Sequence, residues 1–177
     1  MARMVILIAL LAVAILAAVL FLVPKQPSPE ALAALDNWMS TDCAVGGDQA
    51  QRMELRRYAA ELESMLIQIA EQGPPASDVI RVENEARRQY SDIQTSVRSN
   101  HYTGLPNIHM QMVIMQKQEE RVTTVRNDYI AGQRSAALTG LGVIGTRRGR
   151  RLLERIAADP KSPFRDLARL AGEGKAN

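Results

Sequence analysis

The chain has few of the side chains that carry catalysis or cross-linking. Among 177 residues there are one cysteine, two histidines and one tryptophan, and 4% of the residues are aromatic. The single cysteine, Cys43, excludes a disulfide within the chain, and we expect it to be buried or to be a free thiol. Neither His101 nor His109 stands in the pattern of a nucleophile with its base, and no carboxylate pair has a diagnostic spacing. The sequence therefore predicts a non-enzymatic protein without a cofactor.

Alternation with a period of two residues, which is typical of strands, is also absent over any useful length. Alanine, leucine, glutamine, arginine and glutamate dominate, and these residues favour helix. We therefore predict an all-α protein, in which an N-terminal transmembrane helix precedes a small helical domain.

One long hydrophobic run is present, from Met4 to Val23, and it contains no charge, proline or glycine. At 1.5 Å per residue this helix is about 30 Å long, which matches the hydrocarbon core of a bilayer. The bulky residues before Pro24 do not resemble a signal-peptide cleavage site, so the run is predicted to be a retained anchor. Arg3 on the short N-terminal side favours a cytoplasmic N-terminus. The expected product is a single-pass inner-membrane protein with an extracytoplasmic C-terminal domain.

After the anchor, residues 24–29 form a proline-rich spacer, residues 30–131 a stem of long helices or degenerate repeats, and residues 132–177 a separate module. Ser28, Asp48 and Ser77 are predicted N-caps. The second predicted helix runs unbroken from Asp48 to Gly73, and the third is expected to form a hairpin with it. A fourth is predicted from 108 to 131, with Met115 in its apolar stripe.

Charge separates the two parts of the chain. Residues 24–131 hold 11 Lys and Arg against 15 Asp and Glu, whereas residues 132–177 hold 10 against 4. The densest cluster is Arg147, Arg148, Arg150 and Arg151, at the start of a predicted helix, where cations are unfavourable. We treat these four arginines as candidate contacts to an acidic protein or an anionic lipid, against the simpler interpretation of a solvated face. Nucleic acid is disfavoured because the stacking aromatics of such sites are missing.

Two further patterns have competing interpretations. Gly140, Gly142 and Gly145 match the dinucleotide fingerprint GxGxxG, but the preceding segment reads as helix, so close helix packing with a terminating glycine is favoured. His109 with Met110, Met112 and Met115 suggests a soft-metal site, since thioethers select Cu(I), but methionine in a core stripe is more common.

The C-terminal segment consists of a short predicted helix over 133–145, a second helix over 148–158, the turn Asp159-Pro160, and the start of a third. It resembles one HEAT repeat, and the start of another, of the bacterial kind named after phycobilisome lyases. Gln133, Gly140 and Gly149 depart from the pattern, and the matching positions are Arg134, Ala136, Ala137, Leu141, Gly142, Ile144, Gly145, Leu152, Ile156, Asp159 and Arg165. This resemblance implies stacked helix pairs and a protein-binding or scaffolding role, and it does not imply lyase activity.

From the sequence we therefore expect a membrane-anchored helical scaffold of the bacterial envelope, whose HEAT-like face binds another protein. The alternatives are an oligomerising structural stem and, less favoured, a membrane-linked enzyme or copper-binding protein.

Overall fold

The structure is a computed structural model, and it describes residues 26–40, 47–98 and 115–174. These residues form seven helices and no strand, so the predicted all-α class is confirmed. The helices are α1 (Pro29–Met39), α2 (Gln49–Arg57), α3 (Ala59–Gln72), α4 (Ala76–Arg98), α5 (Gln118–Ile144), α6 (Arg147–Ala158) and α7 (Arg165–Gly172).

Within the described ranges, no helix has both the length and the apolar character needed to cross a membrane. The predicted anchor, Met4–Val23, lies outside these ranges, and its role stays a prediction. Cys43, His101 and His109 lie outside them as well.

Local sequence signals set most of the helix ends. The Ser28 side chain accepts from the Ala31 N–H, and Asp48 forms a reciprocal capping box with Gln51 at 2.8 and 2.9 Å, so both predicted caps are confirmed. Ser77, in contrast, is not a cap. Helix α4 begins at Ala76, so Ser77 lies within the helix, and the Pro75 carbonyl accepts its first hydrogen bonds from the 78 and 79 N–H groups.

Two predicted helices have different bounds in the structure. The single helix expected over 48–73 is divided at Tyr58, where the backbone leaves the helical region with φ −105° and ψ 19°. The spacing of apolar residues continues across this break, and Leu55 and Leu62 on either side are both fully buried, so periodicity alone does not reveal it. The separate helix predicted for 133–145 is instead the second half of α5, which crosses position 132 without interruption.

The second half of α5, residues 132–144, is the centre of the main core. It packs against α1, α2, α3, α6 and α7. Trp38 of α1 is 4% exposed, and its indole N–H donates to the Ala136 carbonyl of α5 at 2.8 Å. Arg134 joins two further elements, since its Nε donates to the Ala70 carbonyl and its guanidinium lies 4.7 Å from the centre of the Phe164 ring. The fully buried large side chains of this core are Leu55, Leu62, Leu66, Leu138, Leu141 and Leu153.

The first half of α5 forms a helical arm with α4, and we define the arm as α4 together with residues 118–131. The two helices run antiparallel, because Glu83 pairs with Arg126 while Tyr90, further along α4, donates to the Gln116 carbonyl. The predicted hairpin between α4 and the preceding helix is therefore wrong. The apolar face of α3 is already covered by the second half of α5, so the stripe of α4 packs on the first half.

Candidate functional site: the arginine face and the arm-base groove

Helix α6 divides its residues sharply between core and solvent. Gly149, Leu152 and Leu153 are buried on one side. The helical repeat places four exposed arginines together in an arc of about 100°, away from these buried residues. We call this surface the arginine face, and it consists of Arg147, Arg148, Arg151 and Arg155.

Arg150, which the sequence grouped with its neighbours, has a different position. Its Nε donates to the Gly145 carbonyl at 2.9 Å, at the C-terminal end of α5. A cation is favourable there, since the last carbonyls of a helix carry partial negative charge. Arg56 makes the equivalent contact to the Val143 carbonyl at 2.9 Å. Arg150 therefore stabilises the α5–α6 junction. The arginine cluster predicted from the sequence did not include Arg155, although its spacing of four residues from Arg151 indicates that both lie on the same side of the helix.

The arginine face borders a groove of about 300 Å³ between α3 and α6. Its floor is formed by Ile67 and Leu152. Three guanidinium groups line it, and only one of them has an acidic partner among the described residues, since Arg155 pairs with Glu71 of α3. We call this cavity the arginine groove, and its charged lining residues are Glu71, Arg148, Arg151 and Arg155.

A second and larger groove, of about 460 Å³, lies where the arm meets the core, between α1, α3, α4 and α5. We call it the arm-base groove. Its rim carries Asp36, together with Asp78 and Arg81, which pair at 3.4 Å. Its apolar lining consists of Leu32, Leu35, Met39, Met65, Ile69 and Pro75.

This groove continues into a neighbouring cavity of about 290 Å³ beside the turn Gly73–Pro75. Met65, Ile69 and Pro75 line both cavities, so the two form one trough. Leu32 at its edge is 43% exposed. The trough thus presents a continuous apolar floor to solvent.

Tyr129 of α5 also lines the arm-base groove. Partial burial raises the pKa of its phenol above the ordinary value, the Asp78 carboxylate raises it further, and Arg81 opposes the shift. A tyrosine phenol is protonated at neutral pH even at its ordinary pKa, so Tyr129 offers a hydrogen-bond donor at the groove.

The glycine motif lies inside α5 and serves packing, as the sequence interpretation favoured. A Cβ atom on Gly142 would lie 2.5 Å from the Ala171 carbonyl oxygen of α7, and one on Gly140 would lie 2.9 Å from the Trp38 indole nitrogen. Gly145 ends the helix in the left-handed conformation with φ +64°. The strand-to-helix turn of a dinucleotide site is not formed at these glycines.

The proposed copper residues are only partly described. His109, Met110 and Met112 lie outside the described ranges, and within those ranges no cluster of three His, Cys, Asp or Glu residues is placed to hold a metal ion. Met115 precedes α5 and is 87% exposed, so its predicted place in a core stripe is wrong. Gln116 and Lys117, which are not helical, separate Met115 from the start of α5 at Gln118.

Comparisons of the chain with protein-family models, with curated proteins and with solved structures find no match. The resemblance to HEAT repeats stays a prediction from the residues of the C-terminal segment.

Proposed function

We propose that this chain is a non-enzymatic, membrane-tethered helical module of a bacterial envelope, and that it binds a segment of a partner protein in the arm-base groove. The observation that carries the proposal is the trough of apolar side chains at the meeting point of four helices. A trough of two contiguous cavities suits a peptide segment better than one compact small molecule. The hydrophobic run Met4–Val23 supports the tether.

The lining of the groove indicates the chemistry of the segment. Met39 and Met65 are unbranched and polarizable, and such side chains adapt to irregular apolar surfaces. At the rim, the Asp36 carboxylate makes no ion pair with any described residue, whereas Asp78 is paired with Arg81. A partner segment with apolar anchors and one adjacent lysine or arginine satisfies both features, because the cation can pair with Asp36.

A photo-crosslinking amino acid in place of Leu32 tests this assignment in the full chain in its native membrane. We expect one protein adduct, with the crosslinked peptide carrying apolar residues beside a cation. Asp36→Lys should lower the yield about tenfold, since it places like charges opposite each other. Asp36→Glu preserves the charge and should retain most of the adduct.

Position 80 supplies the control for that experiment. Ile80 is 57% exposed on the arm, yet it does not line the groove. The proposal is overturned if position 32 gives no adduct, or if both positions give the same adduct with no response to Asp36→Lys.

One observation favours the second candidate, an oligomerising stem. The described residues of the arm contribute none of the buried members of the main core cluster, and Ala86 and Val122 form a separate seam. Two helices with so narrow a seam are a common unit of intermolecular bundles. An adduct between two copies of this chain from position 80 would favour the stem over the docking module.

The tether predicts a defined topology. Alkaline phosphatase fused after Asn177 should be active, and green fluorescent protein at the same place should be dark, because the domain is expected outside the cytoplasm. Fluorescence of the green fluorescent protein fusion would instead indicate a cytoplasmic C-terminus, which is the opposite orientation. Recovery of the full chain in the soluble fraction after cell breakage would remove the anchor from the proposal.

A further inference from the structure

We infer that the arginine groove is a binding site for a phosphoryl dianion, either the phosphomonoester of a lipid headgroup or a soluble phosphate group. This site lies on the opposite side of α3 from the arm-base groove, because Ile67 and Glu71 are about half a turn away from Met65 and Ile69. The inference therefore stands apart from the proposed function, and either can fail without the other.

The first argument is charge. Arg148, Arg151 and Arg155 line one groove with a single carboxylate, that of Glu71, which leaves an excess of two positive charges. Among the described residues, Arg148 and Arg151 have neither an ion pair nor a hydrogen bond from their guanidinium groups, and both are exposed. A phosphomonoester carries close to two negative charges at neutral pH, which matches this excess.

The second argument is the cost of this arrangement in the free protein. Arg147 and Arg148 lie in the first turn of α6, where the helix dipole disfavours cations. Arg148 and Arg151 are three residues apart, and Arg151 and Arg155 are four apart, so the like charges face each other along one side of the helix. A bound dianion relieves both effects.

The third argument is geometry. The ion pair with Glu71 places the Arg155 guanidinium at one wall of the groove. Arg148 and Arg151 stand along the same helix side, and arginine forks match the paired oxygens of a phosphoryl group. Ile67 and Leu152 give the groove an apolar floor beneath the guanidinium groups.

Thermal unfolding of the full chain in detergent tests the inference. Trp38 is the only tryptophan, so its emission reports on the core without interference. With inorganic phosphate at about ten times its Kd, the Tm should rise by about 3 °C over chloride at equal ionic strength. Arg148→Gln/Arg151→Gln should remove this rise, and its Tm without phosphate should equal or exceed that of the wild type, since repulsion is removed.

Two controls separate a site from general effects. Arg88→Gln/Arg121→Gln makes the same change in net charge on the arm and should keep the full response. This variant also accounts for the general stabilisation that phosphate gives through surface exclusion. Arg148→Lys/Arg151→Lys preserves charge without the guanidinium fork, and we expect less than half of the rise.

A second experiment, with lipid, distinguishes the two sources of the phosphoryl group. The full chain in nanodiscs of phosphatidylcholine is compared with nanodiscs that also contain phosphatidic acid or phosphatidylglycerol. A rise in Tm with phosphatidic acid alone identifies a headgroup monoester, and a rise with inorganic phosphate alone identifies a soluble ligand. The inference is overturned if the wild type and Arg148→Gln/Arg151→Gln show the same change in Tm both with inorganic phosphate and with the lipids.

Discussion

Trp38→Ala should lower the free energy of unfolding by about 3–5 kcal/mol, the usual cost of removing a large buried aromatic side chain. Trp38 is 4% exposed and joins α1 to the second half of α5 through its hydrogen bond to the Ala136 carbonyl. Its ring also lies where a Cβ on Gly47 or Gly140 would touch it. Denaturation of the full chain in detergent, followed by circular dichroism at 222 nm, measures the loss.

Trp38→Phe is the matched control, since it keeps an aromatic ring and removes the N–H donor. The Ala136 carbonyl still accepts from the Thr139 hydroxyl at 2.9 Å, so it is not left without a partner. We expect a loss of about 1–2 kcal/mol. The role assigned to Trp38 would be refuted if the alanine variant lost no more stability than the phenylalanine variant.

Gly142→Ala should destabilise the protein by about 1–3 kcal/mol, although alanine is the better helix former. The added Cβ would lie 2.5 Å from the Ala171 carbonyl oxygen and 3.0 Å from its carbonyl carbon. These are backbone atoms of α7, so no side chain can move aside and the whole helix must shift. Hydrogen exchange should show faster exchange over 165–172 together with the lower free energy of unfolding.

Gly132→Ala is the control in the same helix and should have the opposite sign. Within the described part of the chain, the Cβ that it would add has no atom within 4 Å apart from its two chain neighbours and the backbone of its own helix. Gly132→Ala should therefore raise the free energy of unfolding by up to about 1 kcal/mol through helix propensity. Destabilisation by both substitutions to the same extent would show that the approach of α7 to Gly142 does not decide the effect.

Local signals in the sequence predicted much of the secondary structure. The caps at Ser28 and Asp48 each depend on a side chain and a backbone N–H three residues away, so they can be predicted without the fold. The helix ends are local as well, since α5 ends at Gly145 in the left-handed conformation and α6 ends at Asp159, directly before Pro160. The break at Tyr58 was not predicted, because one residue outside the helical region leaves the apolar spacing intact.

The candidate sites were predicted less completely. The sequence singled out the arginines of α6, but a run of letters does not show that Arg150 turns back to the Gly145 carbonyl while Arg155 joins the other three. Helical periodicity separates these residues once the helix bounds are known. The arm-base groove was not predicted at all, since Leu32, Met65 and Tyr129 come from three helices that are far apart in the chain.

The sequence by itself determined the helical class, the apolar run Met4–Val23 and the basic character of the C-terminal third. These properties depend on composition, periodicity and charge, which are local. Only the tertiary structure decided which helix pairs with α4, why α5 carries glycines at 140 and 142, and where apolar side chains stay open to solvent. Those outcomes depend on which face of one helix is already covered by another, and no single segment encodes that competition.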